Sequence, residues 1–115
     1  MEIVKNYIEE DEILEIKILE NLISSKSSDF KDFFISCIDE SPKNILLNFG
    51  DMEFLDSSGI SSLVSMHRKL KKLKINLAIY FESDVIEEVF VLTKLNKLFS
   101  IFKDYDEAID ELLGD

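Results

Sequence analysis

Between Phe54 and Ile60 the chain reads Phe-Leu-Asp-Ser-Ser-Gly-Ile. Two neighbouring hydroxyls, with a carboxylate before them and a glycine after, are compatible with three chemistries and one purely structural use. The first chemistry is nucleophilic attack by serine. A nucleophile elbow requires Gly-x-Ser-x-Gly on a tight strand-to-helix turn, but Leu55 stands where the first glycine should be. The sole histidine, His67, falls about three turns into the helix that follows, on or beside its apolar stripe, and a third group would have to orient it. Hydrolysis is therefore disfavoured. The second chemistry is cradling a nucleotide phosphate. With three glycines in all and neither Gly-Lys-Ser/Thr nor Gly-x-Gly-x-x-Gly present, a nucleotide loop is excluded. The third is acceptance of a phosphoryl group by Ser57. A hydroxyl in the first turn of a helix faces solvent, and the helix dipole tolerates the roughly −1.5 to −2 charge that phosphate adds. A partner carboxylate at ~4 Å would then meet a penalty on the order of several kcal/mol. That is enough to change affinity about a thousandfold. The structural use is helix capping, which explains Asp56 and Ser57 equally well. The residues alone leave switch and cap both open.

The elements that position this turn can be read from periodicity. Residues 2–8 form a β-branched and aromatic run that predicts a strand. Four acids, Glu9 to Glu12, suit a solvated hairpin turn, and Ile13 to Leu19 predicts a second, antiparallel strand. Nothing fixes those acids around an ion, so a metal site there is disfavoured. Ser27 or Ser28 is expected to cap a helix beginning near Asp29, with Phe30, Phe33, Phe34, Cys37 and Ile38 on one face. Pro42 ends it. Asn44 to Phe49 is nearly all apolar, as in a central strand covered on both sides. From about Ile60 a helix carries Ile60, Leu63, Val64, His67 and Leu70 as a stripe, widened by Met66 and Leu73. Five of the thirteen basic residues then fall between Arg68 and Lys74. They read as cations complementing a helix C-terminus, with a docking patch as the sharper alternative. Ile75 to Phe81 predicts another strand. Ser83 caps the next helix, whose expected core face is Val85, Ile86, Val89, Phe90 and Leu92. A short strand over 100–103 and a last helix from Asp106, stopped by Gly114, complete the chain.

This order predicts an α/β fold: a mixed, mostly parallel central sheet, an antiparallel N-terminal hairpin and about four helices in one domain spanning 1–115. The 115 residues suffice for one core, with 46% hydrophobic and 32% charged residues. A net charge of −11 opposes binding to nucleic acid and to anionic membranes and favours partners with a basic face. One cysteine, Cys37, and one histidine can build neither a disulfide nor a metal cluster. With no signal peptide and no membrane-spanning run, a soluble cytoplasmic protein is expected. A phospho-aspartate receiver shares the length and class, but the two N-terminal strands break its order.

The run Asn44 to Phe49, the turn Phe54-Leu55-Asp56-Ser57-Ser58-Gly59-Ile60 and the helix reaching Lys72 together resemble the STAS domain, most closely the bacterial anti-sigma-factor antagonists. The Ile75 to Phe81 strand and the Val85 to Leu98 segment also fit, so the resemblance covers nearly the whole chain. It implies a non-enzymatic protein without cofactors that binds an anti-sigma factor, itself a serine kinase, and so frees a sigma factor. It implies phosphorylation of the serine after the aspartate, Ser57, with Ser58 ranking second, and reversal by a metal-dependent serine phosphatase. Asp56 would orient the hydroxyl or the docking loop. The implied partner surface comprises Asp56, Ser57, Ser58 and Gly59 together with Leu22 and Ile23. A monomer is expected, with a dimer as the alternative. The chain departs from the family at one place. A Gly-x-Leu-Asp motif is usual after the second strand, and here Glu20-Asn21-Leu22-Ile23 replaces it. That departure motivates a second reading, a non-switching STAS scaffold or the soluble subunit of a signalling complex or lipid-transport ATPase.

Overall fold

A computed structural model describes residues 1–114. Its elements follow the predicted order: β1 (Ile3–Ile8), β2 (Ile13–Ile18), α1 (Ser27–Ile38), β3 (Asn44–Phe49), α2 (Ser57–Leu73), β4 (Asn76–Phe81), α3 (Asp84–Leu92), β5 (Ser100–Phe102) and α4 (Tyr105–Leu112), with a 3-10 turn at Leu95–Lys97. The strands lie side by side in sequence order. β1 pairs antiparallel with β2, and every other pair is parallel.

Sequential order has a consequence for the helices. Each parallel crossover advances one strand in the same direction and with the same hand, so the crossover helices α1, α2 and α3 fall on one face. Alternation along the strands supplies that face. Leu14, Ile16 and Ile18, then Ile45, Leu47 and Phe49, then Ile79 and Phe81 join one buried cluster with Phe30 and Phe34 of α1, Leu63, Met66 and Leu70 of α2, and Ile86 and Phe90 of α3. The register stacks like with like: Leu14 beside Ile45, Ile16 beside Leu47, Leu47 beside Ile79 and Phe49 beside Phe81. α4 follows the last strand, has no crossover to make, and covers the other face. There Ile13, Leu46 and Ala78 meet Ala108, Ile109 and Leu112. β3 is therefore buried at all six positions, which explains its apolar run. Glu15 faces the α4 side as a polar pin, accepting from the Tyr105 hydroxyl at 2.5 Å and from Asn48 Nδ2 at 3.2 Å.

Four local expectations need correction. α1 begins at Ser27 rather than near Asp29, and its cap residue, Lys26, makes no side-chain cap. Ser27 instead donates to the Ser24 carbonyl, which closes the preceding loop. α2 starts three residues before Ile60, because Asp56 caps it. On α3 only Ile86 and Phe90 are fully buried, while Val85 and Leu92 are exposed. These two pairs lie about a third of a turn apart, and a nine-residue helix can press only one of them onto the sheet. Leu73, expected to widen the α2 stripe, is 51% exposed where the helix leaves the core.

Candidate functional site

Three loops meet at the carboxyl ends of β2, β3 and β4, the end of a parallel sheet where functional groups gather. The central one is residues 50–56. Asn48 folds its side chain forward so that Oδ1 accepts the Gly50 N–H at 2.8 Å, and the Met52 N–H donates to the Phe49 carbonyl. The chain then runs extended. Met52 and Leu55 turn inward and are buried, while Glu53 and Phe54 face solvent.

The loop after β2 zips onto this segment. Leu22 pairs with Leu55 in a single parallel bridge, and the Asp56 N–H donates to the Leu22 carbonyl at 3.2 Å. Asn21 Oδ1 accepts from both Glu53 N and Phe54 N, at 2.9 and 3.1 Å. The Asp56 carboxylate joins the two loops to the helix: one oxygen accepts from Gly59 N at 3.0 Å and the other from Ser24 N at 2.9 Å. The Gly59 N–H, followed by that of Ser24, holds the Asp56 carboxyl below its ordinary pKa, against a smaller opposing effect of desolvation. Asp56 is thus an ionised helix cap at the reach of a second loop. From the third loop, Ser83 accepts from Val85 and Ile86 to cap α3, and its hydroxyl reaches the Glu53 carbonyl at 3.4 Å.

This arrangement explains the glycine. A Cβ on Gly59 would lie 2.6 Å from the Leu22 carbonyl oxygen and 3.0 Å from Leu22 Cγ. The first turn of α2 can rest on Leu22 only without a side chain at this position. Ser57, the first residue of the helix, points outward and is exposed, whereas Ser58 is half-buried and its carbonyl accepts the Ser62 hydroxyl at 3.0 Å. Beside Ser57 runs a polar cleft between α1 and α2, floored by Ser58, Ser61, Ser62 and Ser65 and walled by Ser27 and Lys31. Lys31 is the cation of this cleft.

Asp56, Ser57, Ser58 and Gly59 therefore lie together with Leu22 and Ile23. Their roles divide. Leu22 is completely buried and supports Gly59 from beneath, so it offers no side chain to a partner. Ile23 is half-buried. Sequence reading overlooked Asn21 and Ser24, which tie the loops together. An asparagine three residues past a strand was the one available hint, since its side chain readily satisfies loop N–H groups. His67 is not brought to Ser57. Ten residues along a helix separate them by about 15 Å, and the imidazole packs edge-on against Phe99, ring centres 5.0 Å apart. Among the described residues, no three Asp, Glu, His or Cys side chains converge as a metal site, and no helix is long and apolar enough to cross a membrane.

Comparison with known proteins agrees with this architecture. The family model for the STAS domain matches residues 5–108. No curated protein matches the sequence. Among solved structures, an anti-sigma factor antagonist from Mycobacterium paratuberculosis superposes with a TM-score of 0.85 at 18% identity, covering 97% of this chain and 95% of that one. The anti-sigma factor antagonist SpoIIAA in its unphosphorylated form gives 0.78 at 20% identity, covering 99% and 98%. The phosphorylated form of SpoIIAA, a Bacillus cell fate determinant, gives 0.69 at 20%, covering 96% and 99%. A sulfate transporter family protein from Wolinella succinogenes gives 0.77 at 15%, covering 93% of each. At these identities the likeness is one of fold.

Proposed function

Because the chain belongs to the STAS-domain family, we propose that it is an anti-sigma-factor antagonist: it binds an anti-sigma factor that is a serine kinase, and phosphorylation of Ser57 ends the binding. In this reading the protein is a non-catalytic cytoplasmic binding module, acting as one STAS unit across residues 1–115, and a metal-dependent serine phosphatase resets it. The observation that carries the proposal is the contrast between Ser57 and its surroundings. The hydroxyl is exposed on the first turn of α2, while the turn beneath it is pinned by Asp56 to Gly59 and Ser24 and by Gly59 to Leu22. A phosphoryl group there changes the surface and leaves the fold in place. Lys31 across the cleft can meet the new charge, and the α2 dipole favours it. The partner surface in this reading is Asp56, Ser57, Ser58 and Gly59 flanked by Ile23 and Phe54, with Leu22 acting from below. SpoIIAA, a structural relative, is recorded in both phosphorylated and unphosphorylated forms.

The test incubates the chain with its cognate anti-sigma kinase and ATP, and locates phosphate by mass spectrometry. Label at Ser57 that Ser57→Ala removes, with kinase binding retained in Ser57→Ala and lost in Ser57→Asp, is the expected result. Label elsewhere, or unchanged binding of Ser57→Asp, overturns it. One observation favours a second reading, in which the domain is a non-switching subunit of a signalling complex or transporter. Ile23 stands where the family's acid is usual, and the fold is also that of a sulfate transporter family protein. In that case affinity purification recovers a transporter subunit, and Ser57 carries no phosphate.

A further inference from the structure

We propose that the C-terminal end of α2, together with the turn that precedes β3, is a docking site for an acidic protein segment bearing an apolar anchor side chain. The proposal is independent of the switch at Ser57. Seventeen residues of helix separate that turn from Lys74, a distance of about 25 Å.

Charge is the first observation. The chain has 24 acidic and 13 basic residues, yet among the described residues only four basic side chains pair with a carboxylate. These are Lys5, Lys26, Lys43 and Lys103. Five of the other nine, Arg68, Lys69, Lys71, Lys72 and Lys74, crowd into seven positions at one helix end, where none forms an ion pair among the described residues. The helix dipole accounts for Lys71 and Lys72 in the last turn. It does not account for Arg68 and Lys69 farther up.

Shape is the second observation. Leu73 is 51% exposed in the middle of these cations. It separates two hollows. One has an apolar floor of Ile38, Pro42, Leu73 and Ile75, with Lys43, Lys69 and Lys74 on its rim. The other lies between Ser65, Arg68, Lys69, Lys72 and Leu73. The third observation is backbone conformation. Lys74 adopts a left-handed φ of 58°, the position that ends many helices and that glycine fills most easily. A lysine there departs from the local preference for glycine, and its long side chain joins the rim.

An acidic segment fits better than an anionic membrane. Asp39 lies in the first hollow, Glu12 sits 3.7 Å from Lys43, and the whole chain carries a charge of −11. A flat anionic surface would meet these acids together with the lysines. A narrow segment meets the cations and places one apolar side chain beside Leu73, with acids on either side of it. Because the site is remote from Ser57, the contact persists in both phosphorylation states.

The test is fluorescence anisotropy with a labelled peptide of Glu-Glu-Leu repeats and a matched peptide of Glu-Glu-Ser repeats, supported by amide chemical-shift mapping. Saturable binding of the leucine peptide is expected, about tenfold tighter than the serine peptide. Amide shifts should cluster in residues 38–43 and 65–75. Lys69→Glu combined with Lys74→Glu, and separately Leu73→Ser, should each weaken binding about tenfold or more. Ser57→Asp should leave it unchanged. These substitutions are at exposed positions, and circular dichroism melting verifies that the variants fold. Absence of binding, equal affinity for the two peptides, indifference to Leu73→Ser, or shifts elsewhere overturns the proposal. So does preferential binding to phosphatidylserine vesicles, which would assign the patch to membranes. Dimerisation that Lys69→Glu abolishes and the peptide does not compete would assign it to a second copy.

Discussion

Replacing Gly59 by alanine isolates what holds the serine turn in place. The added Cβ would meet the Leu22 carbonyl oxygen at 2.6 Å and Leu22 Cγ at 3.0 Å. The side-chain contact could relax by rotation, but the carbonyl cannot move freely. It accepts the Asp56 N–H at 3.2 Å, and Leu22 is bridged to Leu55. The first turn of α2 must therefore lift away from the loop after β2. Overpacking of this kind costs about 1–3 kcal/mol. Alanine returns at most about 1 kcal/mol of helix propensity over glycine. The net expectation is a loss of about 1–2 kcal/mol. With an unfolding entropy of about 2.1 cal/mol/K per residue, a chain of 115 residues loses ~4 °C in melting temperature per kcal/mol, so a fall of about 4–8 °C is expected. Urea unfolding of wild type and Gly59→Ala, with Ser61→Ala on the exposed side of the same helix as control, measures it. Amide exchange at Ser24 and Asp56 should accelerate in the variant, since both N–H bonds cross the displaced contact. If Gly59→Ala is as stable as wild type or more so, helix propensity outweighs the contact, and the account of this glycine is wrong.

The other expectations concern titration and surface. Asp56 has a depressed carboxyl pKa because Gly59 N–H, then Ser24 N–H, bonds its ionised form. Its contribution to stability is full above the ordinary carboxylate range and is lost as pH falls through the folded value, so Asp56→Asn should flatten the acid side of a urea-midpoint profile taken from about pH 7 to pH 3. A profile as steep as wild type's would refute this. The Tyr105 phenol is pushed well above its usual range, first by burial and then by its bond to Glu15. That contribution is complete below the ordinary phenol pKa and fades as pH rises above about 10. Tyr105→Phe should remove that alkaline loss and one slow-titrating phenolate from the ultraviolet spectrum. Burial first, and Lys71 second, lower the pKa of His67. An NMR titration should place it below the ordinary histidine value, with its stabilising effect lost as pH falls through that point. Phe54 is 46% exposed beside the serine turn. Phe54→Ala should change stability by no more than about 0.5 kcal/mol yet weaken capture of the anti-sigma partner, and unchanged capture would remove it from that surface.

Much of this molecule is written in local pattern. The all-apolar Asn44–Phe49 run announces a strand covered on both faces, and it is buried at every position. The alternation of strands and helices gives element order, and the short N-terminal repeat of strands gives the hairpin. Asp56 before two serines gives a helix start, because capping chemistry operates within four residues. Periodicity failed where burial depends on what an element packs against. Val85 and Leu92 resemble core residues, yet α3 presses only Ile86 and Phe90 onto the sheet. Leu73 belongs to the apolar stripe of α2 but, as the last residue of the helix, is left exposed. The capping role assigned to Ser27 or Ser28 failed because α1 already starts at Ser27, which places both serines inside the helix and Lys26 at the cap position.

For the turn itself, the sequence determined the residue types: an acid to cap, a serine at the first helical position, and a glycine. Only the tertiary structure decided why they must coexist. Leu22 lies far from Gly59 along the chain, and parallel pairing of β2 with β3 carries the loop after β2 beneath the first turn of α2. The Asp56 carboxylate can then hold both the helix and that loop, and Gly59 can rest on a backbone carbonyl. Hydrogen bonds and steric exclusion act over a few ångströms in space and are indifferent to separation along the chain. That is why the cap was legible in the sequence and the clamp that immobilises it was not.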